Sequence, residues 1–315
     1  PMTGVYAAPT HTHTFSATPT VAGAHTATVT LGAQTVGSPA IVTVVVGAAD
    51  PVQSGATLPT SPVVAGAGYA VSVVLRDTHG STLSAEASLT ATVTAGSASA
   101  PVTATYNPST HVYTATVPGT ATAATLAGVH SVSIEVGGST LIANAGSLTV
   151  IPAGINASTT SLTLPTGPVV AGAGYTLSAT LKDGYGNVVT DETTLTATLT
   201  RDATGVPVVA TYSSATRVYT VTVAGTEAIA RVAGDYSVSV GVTGNPALIP
   251  SAGTITIVPS SISPTHCVVS GPPGSVSAGA SVSVSVEARD AYANPLASDL
   301  TSSLSAVLTA AGVSD

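Results

Sequence analysis

The sequence predicts an all-β protein built as a tandem array of β-sandwich domains, and three observations carry that prediction. A block of residues repeats at a domain-sized period. Apolar side chains alternate with polar ones at every second position. Glycine, proline, asparagine and aspartate punctuate these runs at short intervals. The repeat is the strongest of the three. Ala65-Gly66-Ala67-Gly68-Tyr69 returns as Ala171-Gly172-Ala173-Gly174-Tyr175, 106 residues later, and Arg76-Asp77 returns at the same spacing as Lys182-Asp183. Tyr106 and Tyr113 return as Tyr212 and Tyr219, and Gly128-Val129-His130-Ser131-Val132 as Gly234-Asp235-Tyr236-Ser237-Val238. A third copy opens at Ala278-Gly279 and reaches Arg289-Asp290, while Tyr6, His13, Gly23, Ala24 and His25 match the second half of the unit. A period of this length is that of a domain rather than of the ~20–50-residue modules of solenoids.

Alternation of period two assigns the strands. Tyr69, Val71, Val73 and Leu75 share one face, as do Tyr175, Leu177, Ala179 and Leu181, and then Val282, Val284 and Val286. Further strands are predicted at 89–93, 113–117, 132–136 and 148–150. Turns are predicted at Asp77-Thr78-His79-Gly80, Asn107-Pro108-Ser109, Gly137-Gly138 and Asn144-Ala145-Gly146. About seven short strands per ~100 residues is the count of an immunoglobulin-like sandwich. No helix is predicted, and the Ala-rich stretch 121–127 reads as a loop. The boundaries fall at 1–48 (the second half of a unit), 49–152, 153–259 and 260–315 (the first half of another). The junctions are short and hold Pro51, Pro152 and Pro259, which stiffen the chain. A start at Pro1 without a leader, and an end inside a repeat, lead us to expect a piece of a longer polypeptide.

Composition excludes several function classes. Charged residues are only 6% of the chain, with 14 acidic against 6 basic side chains, while 44% are hydrophobic. Nucleic-acid binding needs clustered Lys and Arg, and no nucleic-acid partner is expected. No apolar run of ~18 residues is present to span a membrane. Cys267 stands alone, so it reads as a buried thiol or one paired outside these residues; a redox role would need a basic neighbour.

Candidate chemistry sites resolve into structural roles. His11-Thr12-His13 invites a metal reading, with both imidazoles on one strand face. Yet His13 takes the place of Tyr113 and Tyr219, and His25 and His130 that of Tyr236, which marks them as aromatic packers whose ring nitrogen meets a backbone group. Asp183, Asp191, Glu192, Asp202 and Asp235 are available to calcium but lack the spacing of a dedicated loop. Asp77, Asp183 and Asp290 read as turn residues accepting backbone hydrogen bonds. Gly66-Ala67-Gly68 lacks the third glycine of a dinucleotide loop and precedes a strand. No nucleophile elbow, acid–base pair or phosphate loop stands out, so neither an enzyme nor a cofactor is expected.

Asn156-Ala157-Ser158 is an N-glycosylation sequon at a junction, which makes Asn156 the candidate modification site. Thr18-Pro19-Thr20, Leu58-Pro59-Thr60-Ser61-Pro62 and Ser263-Pro264-Thr265 are candidates for O-linked sugars.

The residues also carry a family likeness. Val21–Val29 followed by Gly37-Ser38-Pro39, the Gly234-Asp235-Tyr236-Ser237-Val238 strand, and the turn Lys182-Asp183-Gly184-Tyr185-Gly186-Asn187 resemble filamin-type immunoglobulin-like repeats. The composition resembles that of green-algal flagellar and cell-surface glycoproteins. Together these imply a non-enzymatic structural or adhesive glycoprotein, forming an extended rod or filament at a cell or flagellar surface. Its expected partners are proteins, through self-association or neighbouring subunits, with glycans attached. The alternative is an intracellular filamin-like scaffold that binds partner peptides by strand addition, at an edge near Val112–Val117 or Leu195–Leu199. For the core, Tyr113 and Tyr219 are expected to be buried, with Val71, Leu75, Leu177 and Leu181 contributed by the opposite sheet.

Overall fold

The computed structural model describes residues 2–84, 87–190, 193–272, 274–297, 304–307 and 309. The chain divides into two compact units, residues 1–154 and 155–315.

The first unit opens with two isolated hairpins, β1 (Thr3–Ala7) with β2 (Thr12–Ser16) and β3 (Gly23–Leu31) with β4 (Gln34–Val44). A full sandwich follows. Its strands are β5 (Gly55–Thr57), β6 (Val63–Val64), β7 (Tyr69–Val74), β8 (Leu89–Ala95), β9 (Ala98–Thr103), β10 (Thr105–Asn107), β11 (Val112–Val117), β12 (Gly128–Val136) and β13 (Ser139–Ile151). One sheet has the order β10-β11-β7-β5 and the other β6-β13-β12-β8-β9, with β6 parallel to β13.

The second unit repeats this plan: β14 (Ser161–Thr163), β15 (Val169–Val170), β16 (Tyr175–Thr180), β17 (Leu195–Arg201), β18 (Thr204–Val209), β19 (Thr211–Ser213), β20 (Val218–Val223), β21 (Gly234–Val242) and β22 (Asn245–Val258). These form sheets β14-β16-β20-β19 and β15-β22-β21-β17-β18. A last hairpin joins β23 (Val268–Ser270) to β24 (Ser285–Glu287). The protein is thus all-β, with tandem immunoglobulin-like sandwiches.

The alternation read from sequence is what closes each core. Tyr69, Val71, Val73 and Leu75 are 8%, 0%, 0% and 0% exposed, and Tyr175, Leu177, Ala179 and Leu181 are equally buried. Tyr113 and Tyr219 are buried as predicted, each hydroxyl accepting a backbone N–H, from Ala87 at 3.0 Å and Thr193 at 3.1 Å. Their neighbours need correcting. β11 pairs with β7, placing Val71 opposite Ala115 and Val73 opposite Tyr113 in the same sheet, and Leu177 likewise faces Val221. The opposite sheet supplies Leu89, Ala91, Val132 and Ile134 in the first unit and Leu195, Leu199 and Val238 in the second.

Three local expectations are overturned. The stretch read as a loop contains a one-turn helix, α1 (Thr122–Thr125), matched by α2 (Ala228–Arg231). Ala123 and Ala124 are buried, and the Tyr69 hydroxyl donates to Ala123 O, one of the carbonyls a short helix leaves unpaired. Asn144-Ala145-Gly146 is no turn; it lies within β13, where Gly146 takes φ +132° beside a register shift opposite Val132 and Ile134. This is a bulge, and glycine supplies its backbone conformation. Of the strand predicted over Val282, Val284 and Val286 only 285–287 is formed, and these three valines stay exposed, because no facing sheet covers them among the described residues.

Candidate functional site: the junction turns

Buried polar groups recur in one turn of each repeat. Asp77, Asp183 and Asp290 are 5%, 0% and 0% exposed. A carboxylate survives burial only when it is well supplied with donors, and each turn provides them. Asp77 Oδ1 accepts from the N–H groups of His79 and Ser81 at 3.0 and 2.9 Å. Asp183 Oδ1 accepts from Tyr185 and Asn187, and Asp290 Oδ1 from Tyr292 and Asn294, all at 2.9 Å. In the latter two, the asparagine amide also donates to Oδ2, at 2.8 and 2.9 Å. The predicted turn role of these three aspartates therefore holds.

The second carboxylate oxygen reaches beyond the turn. Asp77 Oδ2 accepts from Gly47 N–H at 3.1 Å, and Asp290 Oδ2 from Ser260 N–H at 2.8 Å. Both donors are linker residues leading into the repeat. The Gly47 bond is the largest influence lowering the Asp77 carboxyl below its ordinary pKa, against the opposing push of burial. At Asp290 burial is the largest influence and pushes the pKa up; the hydrogen bonds from Asn294, Ser260 and Tyr292 together outweigh it and hold the group low.

Around Asp290 the turn also grips the preceding sandwich. Asn294 Nδ2 donates to Arg231 O at 2.7 Å, and its Oδ1 accepts from Ala233 N–H at 2.8 Å. The Arg231 guanidinium lies over the Tyr292 ring, 5.4 Å from its centroid, and donates through Nε to Gly225 O. Tyr292 sits so close to Gly172, at φ +86°, that a Cβ there would overlap the ring. Both ends of the last turn after α2 are thereby engaged, and the helix-end carbonyl of Arg231 gains a partner.

The sequon lies against the Asp183 turn. Asn156 N–H donates to Lys182 O at 2.8 Å, as Asp50 does to Arg76 O and Ser263 to Arg289 O. Asn156 Oδ1 accepts from Ser158 N–H at 2.8 Å, the cap that Asp50 Oδ1 provides for Val52 and Gln53. Asn156 is exposed.

The histidines occupy the positions of their tyrosine equivalents, His130 as buried as Tyr236 and His13 exposed where Tyr113 and Tyr219 are buried. His25 and His130 Nε2 lie 2.7 and 2.9 Å from the carbonyl four residues back, where Tyr236 OH bonds Val232 O at 3.1 Å. His13 stacks on Tyr6 at 4.7 Å, the separation of Tyr106–Tyr113 and Tyr212–Tyr219. His11 does not share a strand face with His13: it lies in the preceding turn at φ +50°, hydrogen-bonded to Tyr6 OH at 2.9 Å. Among the described residues no three His, Cys, Asp or Glu side chains form a metal-sized group. Asp202 pairs with Arg201 and Asp235 accepts from Thr256; Asp191 and Glu192 lie outside the described residues. Cys267 is half-buried and donates to Ser263 O. No helix among the described residues is long and apolar enough to cross a membrane.

The edges expected for strand addition are elsewhere. Val112–Val117 lies between β7 and β10, and Leu195–Arg201 between β18 and β21. Alternation alone marks both as half-buried strands but says nothing of their place in the sheet. The longer true edges, β9 and β18, each carry a proline, Pro101 and Pro207. Proline is confined to positions whose N–H would face outward, so an incoming strand meets a ring instead of a donor.

No protein-family model matches the chain, and no curated protein does. Solved structures do. FdeC, an Escherichia coli adhesin, aligns at 21% identity and a TM-score of 0.51, over 81% of this chain and 78% of that one. Invasin, described as a bacterial integrin-binding protein, aligns at 21% identity and a TM-score of 0.52, over 83% of this chain and 50% of that one. The likeness establishes immunoglobulin-like repeats without singling out the filamin type.

Proposed function

We propose that the chain is a stretch of a non-enzymatic adhesive protein, an array of immunoglobulin-like domains displayed outside the cell. The observation that carries this reading is the junction at Asp290–Asn294. Its polar groups are spent on tying one repeat to the next, which is the arrangement that a load-bearing array needs and a catalytic pocket does not. The fold shared with FdeC and invasin supports the same reading, as does a charge-poor surface rich in Ser and Thr. The extended filamentous form, display on a flagellum and a glycan coat with Asn156 as one attachment point belong to the same proposal. Proline-blocked edges weigh against the intracellular scaffold that binds by strand addition.

The test is attachment. Beads coated with the whole chain are expected to adhere to cell layers under flow far more than beads coated with albumin, and soluble chain is expected to compete. Equal retention of the two coatings would sink the adhesive reading. Mass spectrometry of native material tests the glycans: an unmodified peptide spanning Asn156 in all molecules removes that part.

A further inference from the structure

We propose that the second repeat carries a ligand site that the first lacks: an open groove beside α2 that takes a carboxylate borne on a short branched aliphatic group, held by Arg201. This goes beyond adhesion and stands or falls apart from it, since binding is read with the purified chain alone.

The turn Asp202-Ala203 joins β17 to β18 with both residues at positive φ, +50° and +65°, and so sets Arg201 directly opposite Thr204. Beside it, between the start of β18 and α2, lies a groove of about 310 Å³ with Arg201, Val206, Ile229, Val232 and Tyr236 among its walls. Apolar walls with a few polar groups are the make-up of a small-ligand site. The guanidinium lies over the Tyr236 ring, 6.0 Å from the centroid, and its Nε pairs with Asp202 at 3.1 Å. Nη1 is buried and has no acceptor among the described residues. A buried donor left unmatched is destabilising, so this nitrogen favours any occupant that brings an acceptor.

The tandem repeat supplies an internal comparison. Strand for strand, Ala95 stands in the first sandwich where Arg201 does, Ala98 for Thr204, Ala100 for Val206, Ala123 for Ile229 and His130 for Tyr236. One repeat has exchanged a small, uncharged corner for a cationic one with longer aliphatic walls. Packing alone does not require the exchange, because the first repeat folds without it.

Charge and walls together name the occupant. A guanidinium pairs best with a carboxylate or a phosphate, and the neighbouring Asp202 disfavours a dianion. Val206 and Val232, 37% and 41% exposed, offer apolar contact next to the charge. A monocarboxylate on a branched aliphatic group meets both demands. A free aliphatic acid carries that chemistry, and so does the C-terminus of a protein ending in leucine, isoleucine or valine. The incoming carboxylate takes the guanidinium from Asp202, whose side chain is 81% exposed and turns back to water.

The test titrates the full chain, methyl-labelled at isoleucine, leucine and valine, and follows it by NMR. Isocaproate and a short peptide ending in a free leucine carboxylate are expected to shift the methyls of Val206, Ile229 and Val232 with a Kd of about 1 mM or tighter. The methyls of Val102 and Leu126 in the first unit should stay in place. The same peptide with a C-terminal amide is expected to bind at least tenfold more weakly. Arg201→Ala installs the residue that the first repeat carries there, so it should keep the fold and weaken binding at least tenfold. Arg201→Lys should weaken it too, since lysine keeps the charge without the fork. Binding of isocaproate alone supports the groove and names a free acid as its ligand; binding of the peptide acid alone supports it and names a protein C-terminus. Equal binding of peptide acid and amide, undiminished binding by Arg201→Ala, or no shift with either acid would overturn the proposal.

Discussion

Asn294 and Arg231, 63 residues apart in sequence, are joined by a 2.7 Å hydrogen bond from the asparagine amide to the arginine carbonyl. The same amide group accepts from Ala233 N–H and donates to Asp290. One side chain therefore satisfies a buried carboxylate and the end of a helical turn at once. Removing it strands donors and acceptors on both sides of the junction, and each buried group left unpaired costs about 1–3 kcal/mol.

Asn294→Ala is accordingly expected to loosen the junction while both flanking folds persist. The amide of Ala233 reports it directly: its hydrogen exchange should rise at least tenfold, the equivalent of one lost bond of ~1.4 kcal/mol. Amides in the middle of β21 should be unchanged. Unaltered exchange at Ala233 would show that the bond does not hold the turn.

Acid should act on the same junctions. Asp77 and Asp290 are held below their ordinary pKa, the first chiefly by Gly47 N–H, the second by donors that outweigh burial. A depressed folded pKa means stability that is present above the unfolded value of about 4 and lost as pH falls through the folded one. Denaturant midpoints should therefore hold steady from pH 7 to about 5 and drop below pH 4. Asp290→Asn should start lower at pH 7 and show a smaller acid drop. An identical acid drop in the variant would assign the effect to other groups.

The sandwich was legible from residues such as Tyr69, Val71, Val73 and Leu75, because period-two burial leaves a direct mark in sequence. The sheet to which a strand belongs leaves none: Val71 alternates identically whether it faces Tyr113 across the core or sits beside it. α1 and α2 were hidden because four residues are too few to display a 3.6-residue period. The Asp183–Asn187 turn was visible as a turn, and its equivalent at 290–294 with it. The grip of Asn294 on Arg231 and Ala233 was not, since partners more than 60 residues apart share no local pattern.

Core tyrosines offer a graded test. Tyr219 is 2% exposed and its hydroxyl accepts from Thr193 N–H. Tyr219→Phe keeps the volume and orphans that N–H, for an expected loss of about 1–3 kcal/mol. Tyr219→Ala adds a cavity and should cost about 3–5 kcal/mol. In a calorimetric scan both losses should appear in the transition of the second unit and leave that of the first in place. A single transition shifting as one would show that the two units melt together.

Alkali should report the other pair of buried tyrosines. Tyr69 and Tyr175 are pushed up to about 12 by burial, which disfavours the phenolate. Their hydroxyls donate to the carbonyls of Ala123 and Ile229 in the one-turn helices, a bond that ionisation removes. A folded pKa raised above the unfolded value of about 10 means stability intact below pH 10 and lost progressively as pH rises toward 12. Absorbance at ~295 nm should therefore show a late stage, above pH 10, that belongs to these two rings. That late stage should coincide with loss of β-structure by circular dichroism. Tyr69→Phe should remove part of that late stage and lose the bond to Ala123. Ionisation of every tyrosine in one step near pH 10, with the fold intact, would contradict the burial of these two rings beneath α1 and α2.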